Sequence, residues 1–227
     1  ANERLGGCMG QKLELMGKVT VLVENKAGAA GMIAADYVAK QPGDGSVRLM
    51  AHINSHAIAP ALTPRMTYNV ETDFAPIELV GVTPNLLICN EHQQARTVKD
   101  IVELCRKNPG KISFGSAGNG SAQHLALEMF NLAAKIDAIH VPYKGGAQAV
   151  ADALGGQIPL VFTAVATAQP LIASGKLKGL AATTGHRSPH FPGVSPFIDA
   201  ALHDVVAGPW DRRREAARPP ASRRAQR

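Results

Sequence analysis

Apolar and polar positions along this chain alternate between two periods. Short runs rich in β-branched residues, the pattern of strands, are followed by longer stretches whose apolar residues recur every three or four positions, the pattern of helices. The near-continuous apolar run VTVLVEN, Val19 to Asn25, predicts a strand buried on both faces. GAAGMIAADYVAKQ follows with Ile33, Tyr37 and Val38 at helical spacing, and DGSVRLMAHI predicts a strand closed by a polar loop, NSH. Another strand is expected near Leu86 to Cys89. TVKDIVELCRKNPG predicts an amphipathic helix with Thr97 as N-cap, Asp100 three positions on, and Pro109-Gly110 as the stop. Beyond it the alternation is regular: KISFGS, DAIHVPY, IPLVFTA and LKGLAATTG read as strands, with AQHLALEMFNLAAK, GAQAVADALGG and AQPLIASG as the helices between them. Repeats of this length argue an α/β architecture on a parallel sheet. The alternation is interrupted near Asn90 and again near Thr183, so residues 90–183 are expected to form a second lobe and residues 1–89 with 184–210 a first. Two crossings between lobes are the sequence shape of a hinged clamp.

Composition narrows the function classes. At 227 residues the chain is long enough for a real core, and 45% hydrophobic content with a mean hydropathy of -0.03 fits a folded globular protein. The formal charge of +6 is concentrated at one end. Residues 211–227 hold seven arginines against Asp211 and Glu215, which leaves 17 basic and 16 acidic residues in the body. A basic tail of this kind reads as disordered, or as a loose polyanion contact. With aromatics at 4% there is no stacking platform, and nucleic acid is not an expected partner. Cys8, Cys89 and Cys105 make neither a CxxC nor a Cys/His ladder, so no metal is expected. No apolar run approaches the roughly 20 residues of a membrane span, and ANERLGGCMGQ lacks the pattern of a secretory signal.

The candidate chemistry sits after the strands, where α/β sheets collect ligands. Phe114 leads into Gly115, Ser116, Ala117, Gly118, Asn119, Gly120 and Ser121, with Ser121 as the expected N-cap of the next helix. A helix start leaves N–H groups unpaired and carries partial positive charge, and glycines let a ligand approach the backbone. This loop therefore suits a carboxylate or phosphate. The same residues also serve as a tight strand-to-helix turn with an ordinary cap. The spacing GxxGxG differs from a dinucleotide fingerprint, and no GxxxxGK[ST] occurs. His124 either faces the site or covers the helix start. VPYKGG repeats the design, with Lys144 free to neutralise an anion or stay solvated, and Tyr143 free to close over it or pack. Ser55 and His56 in HINSHAIAP follow a strand of the first lobe, and Thr163 in IPLVFTA joins the candidate ligand residues. No GxSxG, HExxH or motif-linked carboxylate pair is present, so catalysis has no evident machinery and no cofactor is expected. The competing readings are a phosphate- or nucleotide-handling α/β enzyme using the Gly-rich loop, and a polyanion-binding adaptor using the tail.

VLVENKAGAAGMIAADYVAKQPGDG, HAIAPAL, DFAPIELVGVTPNLLICN, KNPGKISFGSAGNGSAQHLALEMF, HVPYKGGAQAVADALGGQI and SGKLKGLAATTGHRSPHFPGV, in this order, resemble the solute-binding receptors of tripartite tricarboxylate transporters, the Bug-type family. The resemblance covers most of Val19 to about Trp210. It implies a two-lobed Venus-flytrap fold of the periplasmic-binding-protein type. It also implies a periplasmic location, a monomer, and capture of a small carboxylated or amidated solute for delivery to a membrane permease. Family members hold a ligand carboxylate through main-chain amides and bridging waters, a role that falls on Gly115 to Ser121. The family's opening strand and its Pro-Phe-Pro-Pro-Gly-Gly loop have no counterpart in ANERLGGC, and DRRREAARPPASRRAQR departs from the expected return segments. These departures imply an incomplete, weakened first lobe with impaired ligand capture, as a truncated or frameshifted reading frame would produce.

Overall fold

The computed structural model describes residues 2–17, 19–189, 191–206 and 210–216. The chain divides into two compact units, residues 1–81 with 210–227, and residues 82–209.

The first unit opens with helix α1 (Asn2–Gly17). VTVLVEN then departs from expectation: it forms no strand, and Val19, Leu22 and Val23 are 53%, 89% and 42% exposed. Its neighbour is a helix rather than another strand. Val21 N–H donates to Glu14 Oε1 at 2.8 Å, and the side chains of Val21 and Val23 approach Gly10 of α1. An apolar run specifies burial but not the ladder partner that would make it a strand. Helix α2 (Met32–Ala39) buries Ala35 and Val38 and leaves Ile33 and Tyr37 substantially exposed. Strand β1 (Arg48–His52) alternates as expected, with Leu49 and Ala51 facing inward. NSH, expected as a loop, instead opens a π-helical turn (Asn54–Ile58) that runs on into α3 (Ala59–Leu62). Strand β2 (Phe74–Val82) ends the segment, and its Phe74 packs with Ala35, Val38, Leu49, Ala51 and Tyr68 in a small core.

The second unit begins at β3 (Asn85–Asn90), followed by α4 (Val98–Lys107), β4 (Ser113–Ser116), α5 (Ala122–Ala134), β5 (Ile139–Pro142), α6 (Gly146–Leu154), β6 (Leu160–Ala164), α7 (Val165–Ala173) and β7 (Leu177–Ala182). Every expected strand and helix of this stretch is present. Thr97 caps α4 in a reciprocal box, accepting from Asp100 N–H while the Asp100 carboxylate accepts from Thr97 N–H. The sheet order is β5-β4-β6-β3-β7. β4 runs parallel to β5 and β6, as expected, but β3 is antiparallel to both β6 and β7, so the sheet is mixed. β3 enters this sheet two residues after β2, a strand of the three-stranded sheet, and sets Asn85 beside Ala164 at the end of β6 and Leu86 beside Ala182 at the end of β7.

All six residues of β3 are buried, because both faces of the sheet are covered. Leu87 and Cys89 join Phe114, Phe162 and the inner faces of α4 and α5. Leu86 and Ile88 join Val161 and the inner faces of α6 and α7. The boundary expected at Asn90 lies instead between Gly81 and Val82, and residues 184–206 belong with the second unit. Ala182 pairs with Pro196, and Phe197 enters the α4/α5 core, which ties that stretch to the larger sheet.

The chain returns to the first unit as β8 (Trp210–Ala216), the middle strand of a three-stranded sheet, β1-β8-β2, antiparallel to β1. Residues 211–216 were expected in a disordered tail. Charge describes how side chains are solvated, while a strand is held by backbone groups, and the ladder from Arg48↔Glu215 to His52↔Asp211 satisfies those. Residues 217–227 lie outside the described residues.

Candidate functional site

At one edge of the five-stranded sheet the strands β4, β5, β6 and β7 end, β3 begins, and α5, α6 and α7 start. This edge of the second unit gathers Ser116, Tyr143, Thr163 and the Gly-rich loop. The loop is built by its own hydrogen bonds. Gly118 N–H donates to Ser116 Oγ at 3.1 Å, Ser121 N–H to Gly118 O at 3.2 Å, and Gly120 N–H to His124 Nδ1 at 3.2 Å. Ser121 Oγ caps α5 by accepting His124 N–H at 3.2 Å. Gly118 has φ +118°, and a Cβ there would lie 2.9 Å from the Tyr143 carbonyl, so only glycine fits.

These bonds divide the loop's donors. Gly118, Gly120, Ser121 and His124 have committed theirs. Among the described residues, the amides of Ala117, Asn119 and Gln123 meet no internal acceptor. Gly115 differs from the rest of the predicted set. It lies inside β4 with Val161, Ala149 and Ile158 crowding the place of a Cβ, so it makes room for α6.

Tyr143 and Lys144 follow the loop at the end of β5. The Tyr143 hydroxyl donates to the Asp152 carboxylate at 2.8 Å, and burial followed by that neighbour raises its pKa. Lys144 is exposed, with its N–H directed to Gln148 Oε1 at 3.3 Å. Thr163 is buried, its Oγ1 without a partner among the described residues and close to Gly146 at the start of α6. Gly145 and Ala164, the caps of α6 and α7, give no side-chain hydrogen bond, unlike Ser121.

Three further residues join this edge that motif reading passed over. Gln123 Nε2 donates to Asn85 Oδ1 at 3.0 Å, and Asn85 N–H donates to Thr183 Oγ1 at 3.1 Å. Asn85 is fully buried, and its Nδ2, like Gln123 Oε1, has no partner among the described residues. Buried polar atoms are normally satisfied, and Asn85 Nδ2, Gln123 Oε1 and Thr163 Oγ1 are exceptions gathered at this edge. The available signal was an amide side chain opening an otherwise apolar strand.

In the first unit, Ser55 and His56 are knitted into the core. Ser55 Oγ donates to His52 O and lies 2.9 Å from His56 Nδ1, Tyr68 OH donates to Ser55 O at 2.6 Å, and the His56 ring meets Phe74 edge-on at 4.7 Å. Burial pulls the His52 pKa down to about 4. Beside Ser55 runs a left-handed stretch from Gly28 to Gly31 that includes Ala29 and Ala30 at φ 45° and 52°, a strain that sequence pattern did not announce.

The chain has a periplasmic-binding-protein fold, two α/β units with helix starts gathered at the strand ends of the larger sheet. A family model described as "Tripartite tricarboxylate transporter family receptor" matches residues 10–210. The chain belongs to that family. It is 34% identical over 183 residues to a UPF0065 protein from the tcbD-tcbE intergenic region of Pseudomonas sp. strain P51, which covers 80% of this chain and 54% of the relative. It is 33% identical over 191 residues to protein BugT of Bordetella pertussis, covering 84% of this chain and 59% of BugT. It thus spans between half and three-fifths of these curated relatives. Among solved structures, an adipate-bound protein of R. palustris superposes with a TM-score of 0.94 at 26% identity, covering 98% of this chain and 75% of that one.

Proposed function

We propose that this chain is the solute-capturing part of an extracytoplasmic receptor of a tripartite tricarboxylate-type transporter, taking a small organic carboxylate at the Gly115–Ser121 loop. In this reading it acts as a periplasmic monomer that passes its solute to a membrane permease. It carries out no reaction of its own. The observation that carries the proposal is the division of donors in the loop: Gly118, Gly120 and Ser121 hold the backbone in place, while the N–H groups of Ala117, Asn119 and Gln123 meet no acceptor among the described residues and are left for a guest. Such amides at a helix start suit an anionic headgroup. They recognise the carboxylate and not what is attached to it. Family membership and the adipate-bound relative support the same class of ligand.

In this proposal Ala117 and Asn119 contact the carboxylate directly, Ser116, Gly118, Gly120 and Ser121 shape the loop, and Thr163 with Asn85 and Gln123 offers polar atoms to the remainder of the solute or to waters bridging it. The test is a thermal-shift and calorimetric panel of dicarboxylates, tricarboxylates, acidic amino acids and pyridine carboxylates beside nucleotides. Stabilisation by one or more carboxylates, lost in Gly118→Ala, is the expected result. Stabilisation by a nucleotide and by no carboxylate would overturn the assignment.

A further inference from the structure

Two histidines hold the loop from behind. His124, in the first turn of α5, and His140, in β5, stack with ring centroids 3.9 Å apart and planes inclined by 17°. His124 Nδ1 accepts the Gly120 N–H at 3.2 Å. That bond leaves no proton on Nδ1, so the neutral ring carries its proton on Nε2, which lies 3.5 Å from Glu128 Oε1 one turn along the helix. His140 Nε2 lies 2.6 Å from Ser116 Oγ, and the same oxygen accepts the Gly118 N–H at 3.1 Å. Two amides of the loop thus end on imidazole, one directly and one through a serine, and the two rings close the circuit by stacking.

We infer that the His124–His140 pair is a positioning element: it holds the loop in its binding geometry while both rings are neutral, and proton uptake at His124 Nδ1 frees Gly120 and weakens carboxylate capture. The inference rests on the reading of the loop as a carboxylate site. A proton on Nδ1 turns the acceptor of the Gly120 bond into a donor facing a donor. A charge there also faces the second ring, and two stacked imidazoliums repel, so the pair carries at most one positive charge while stacked. Burial first, and then His124, brings the His140 pKa down to about 4, which keeps that ring neutral. The other titratable groups facing the pair are few. Glu128 approaches His124 from its own helix, and Tyr143 at the end of β5 has its hydroxyl committed to Asp152 of α6. An imidazolium beside the loop would by itself draw an anion closer, but Glu128 offsets that attraction, whereas nothing replaces the lost Gly120 acceptor.

The test uses the full chain labelled with 15N and titrated downward from about pH 8 until His124 takes up a proton. Long-range 1H–15N spectra are expected to show His124 as the Nε2–H tautomer, with its protonation and the shift of the Gly120 amide sharing one midpoint. Adipate affinity is then measured over the same range for the wild type, for His124→Asn, whose Oδ1 stands near the place of Nδ1 but does not titrate, and for His124→Ala. The wild type should lose about fivefold in affinity on acidification, the worth of one ordinary hydrogen bond. His124→Asn should be flat with pH, and His124→Ala about fivefold weaker throughout. An Nδ1–H tautomer, separate midpoints for His124 and Gly120, or a His124→Asn profile that follows the wild type would each overturn the inference. If adipate binds none of the proteins, the carboxylate reading fails for that ligand, and the tautomer and shared midpoint still decide the latch.

Discussion

Gly118 and Lys135 show opposite uses of left-handed backbone. Gly118→Ala must place a Cβ 2.9 Å from the Tyr143 carbonyl at φ +118°, so the loop has to move. The expected outcome is loss of carboxylate-induced stabilisation at little cost to the fold of the second unit, checked by thermal shift and circular dichroism. Lys135 ends α5 at φ 51°, with its N–H on Leu132 O at 3.3 Å and Ile136 N–H on Asn131 O at 3.0 Å. This is the position where helices usually place glycine. Lys135→Gly removes the Cβ strain and should raise stability by about 0.5–1 kcal/mol, read from urea denaturation. Sequence reading named Ser121 as a cap correctly, because a serine between a strand and an apolar helical stripe has few other uses. It could not separate Gly115 from Gly118. Both are glycines of one motif, but one makes room for Ala149 and the other for a backbone carbonyl.

Among the elements, α4 is the one whose limits were most legible. Thr97, Asp100 and Asn108 mark its ends, and its buried residues Val98, Ile101 and Cys105 recur at helical spacing. Thr97→Ala should cost about 1 kcal/mol in equilibrium unfolding, the usual worth of an N-cap. The Asp100 carboxylate accepts the N–H of Arg96 and of Thr97, and these bonds hold its pKa below the ordinary value. A depressed folded pKa means that the contribution is present above the unfolded carboxylate range and is lost as pH falls through the lower folded value. Stability measured against pH should therefore drop below about pH 4, and the drop should be shallower in Asp100→Asn. Strand β3 was legible as a strand and illegible in direction. Its apolar run reports two covered faces, whereas its antiparallel pairing is made with β6 and β7, whose partner residues lie more than 70 positions further along the chain.

The molecule has two units of unequal construction. The larger has two apolar clusters, one on each face of a five-stranded sheet. The smaller has one modest cluster, and the exposed stretch from Val19 to Val23 runs along α1 without a strand partner among the described residues. Limited proteolysis should therefore cut first between about residues 19 and 28 and leave the second unit as the resistant fragment; initial cleavage inside residues 85–182 would contradict this. Thiol chemistry gives an independent reading. Cys8 is exposed, while Cys89 and Cys105 are buried, and burial raises the pKa of both, that of Cys105 to about 11. One equivalent of thiol should react quickly in the native protein and the other two only on unfolding.

Local pattern was enough to determine the elements of residues 97–182, the cap of α5 and the Gly-rich loop in front of it, because hydrophobic period, capping residues and glycine act within a few positions of one another. The same local information misread VTVLVEN as a buried strand and DRRREA as part of a disordered tail. Whether an extended segment becomes a strand depends on a partner far away in sequence, and the ladder of β8 with β1 joins residues more than 150 positions apart. Tertiary structure alone brought Asn85, Gln123, Thr163 and Thr183 to one edge, and set His140 against His124 and Ser116. Strands distant in sequence become neighbours only when the sheet closes, and no local spacing records which of their ends will meet.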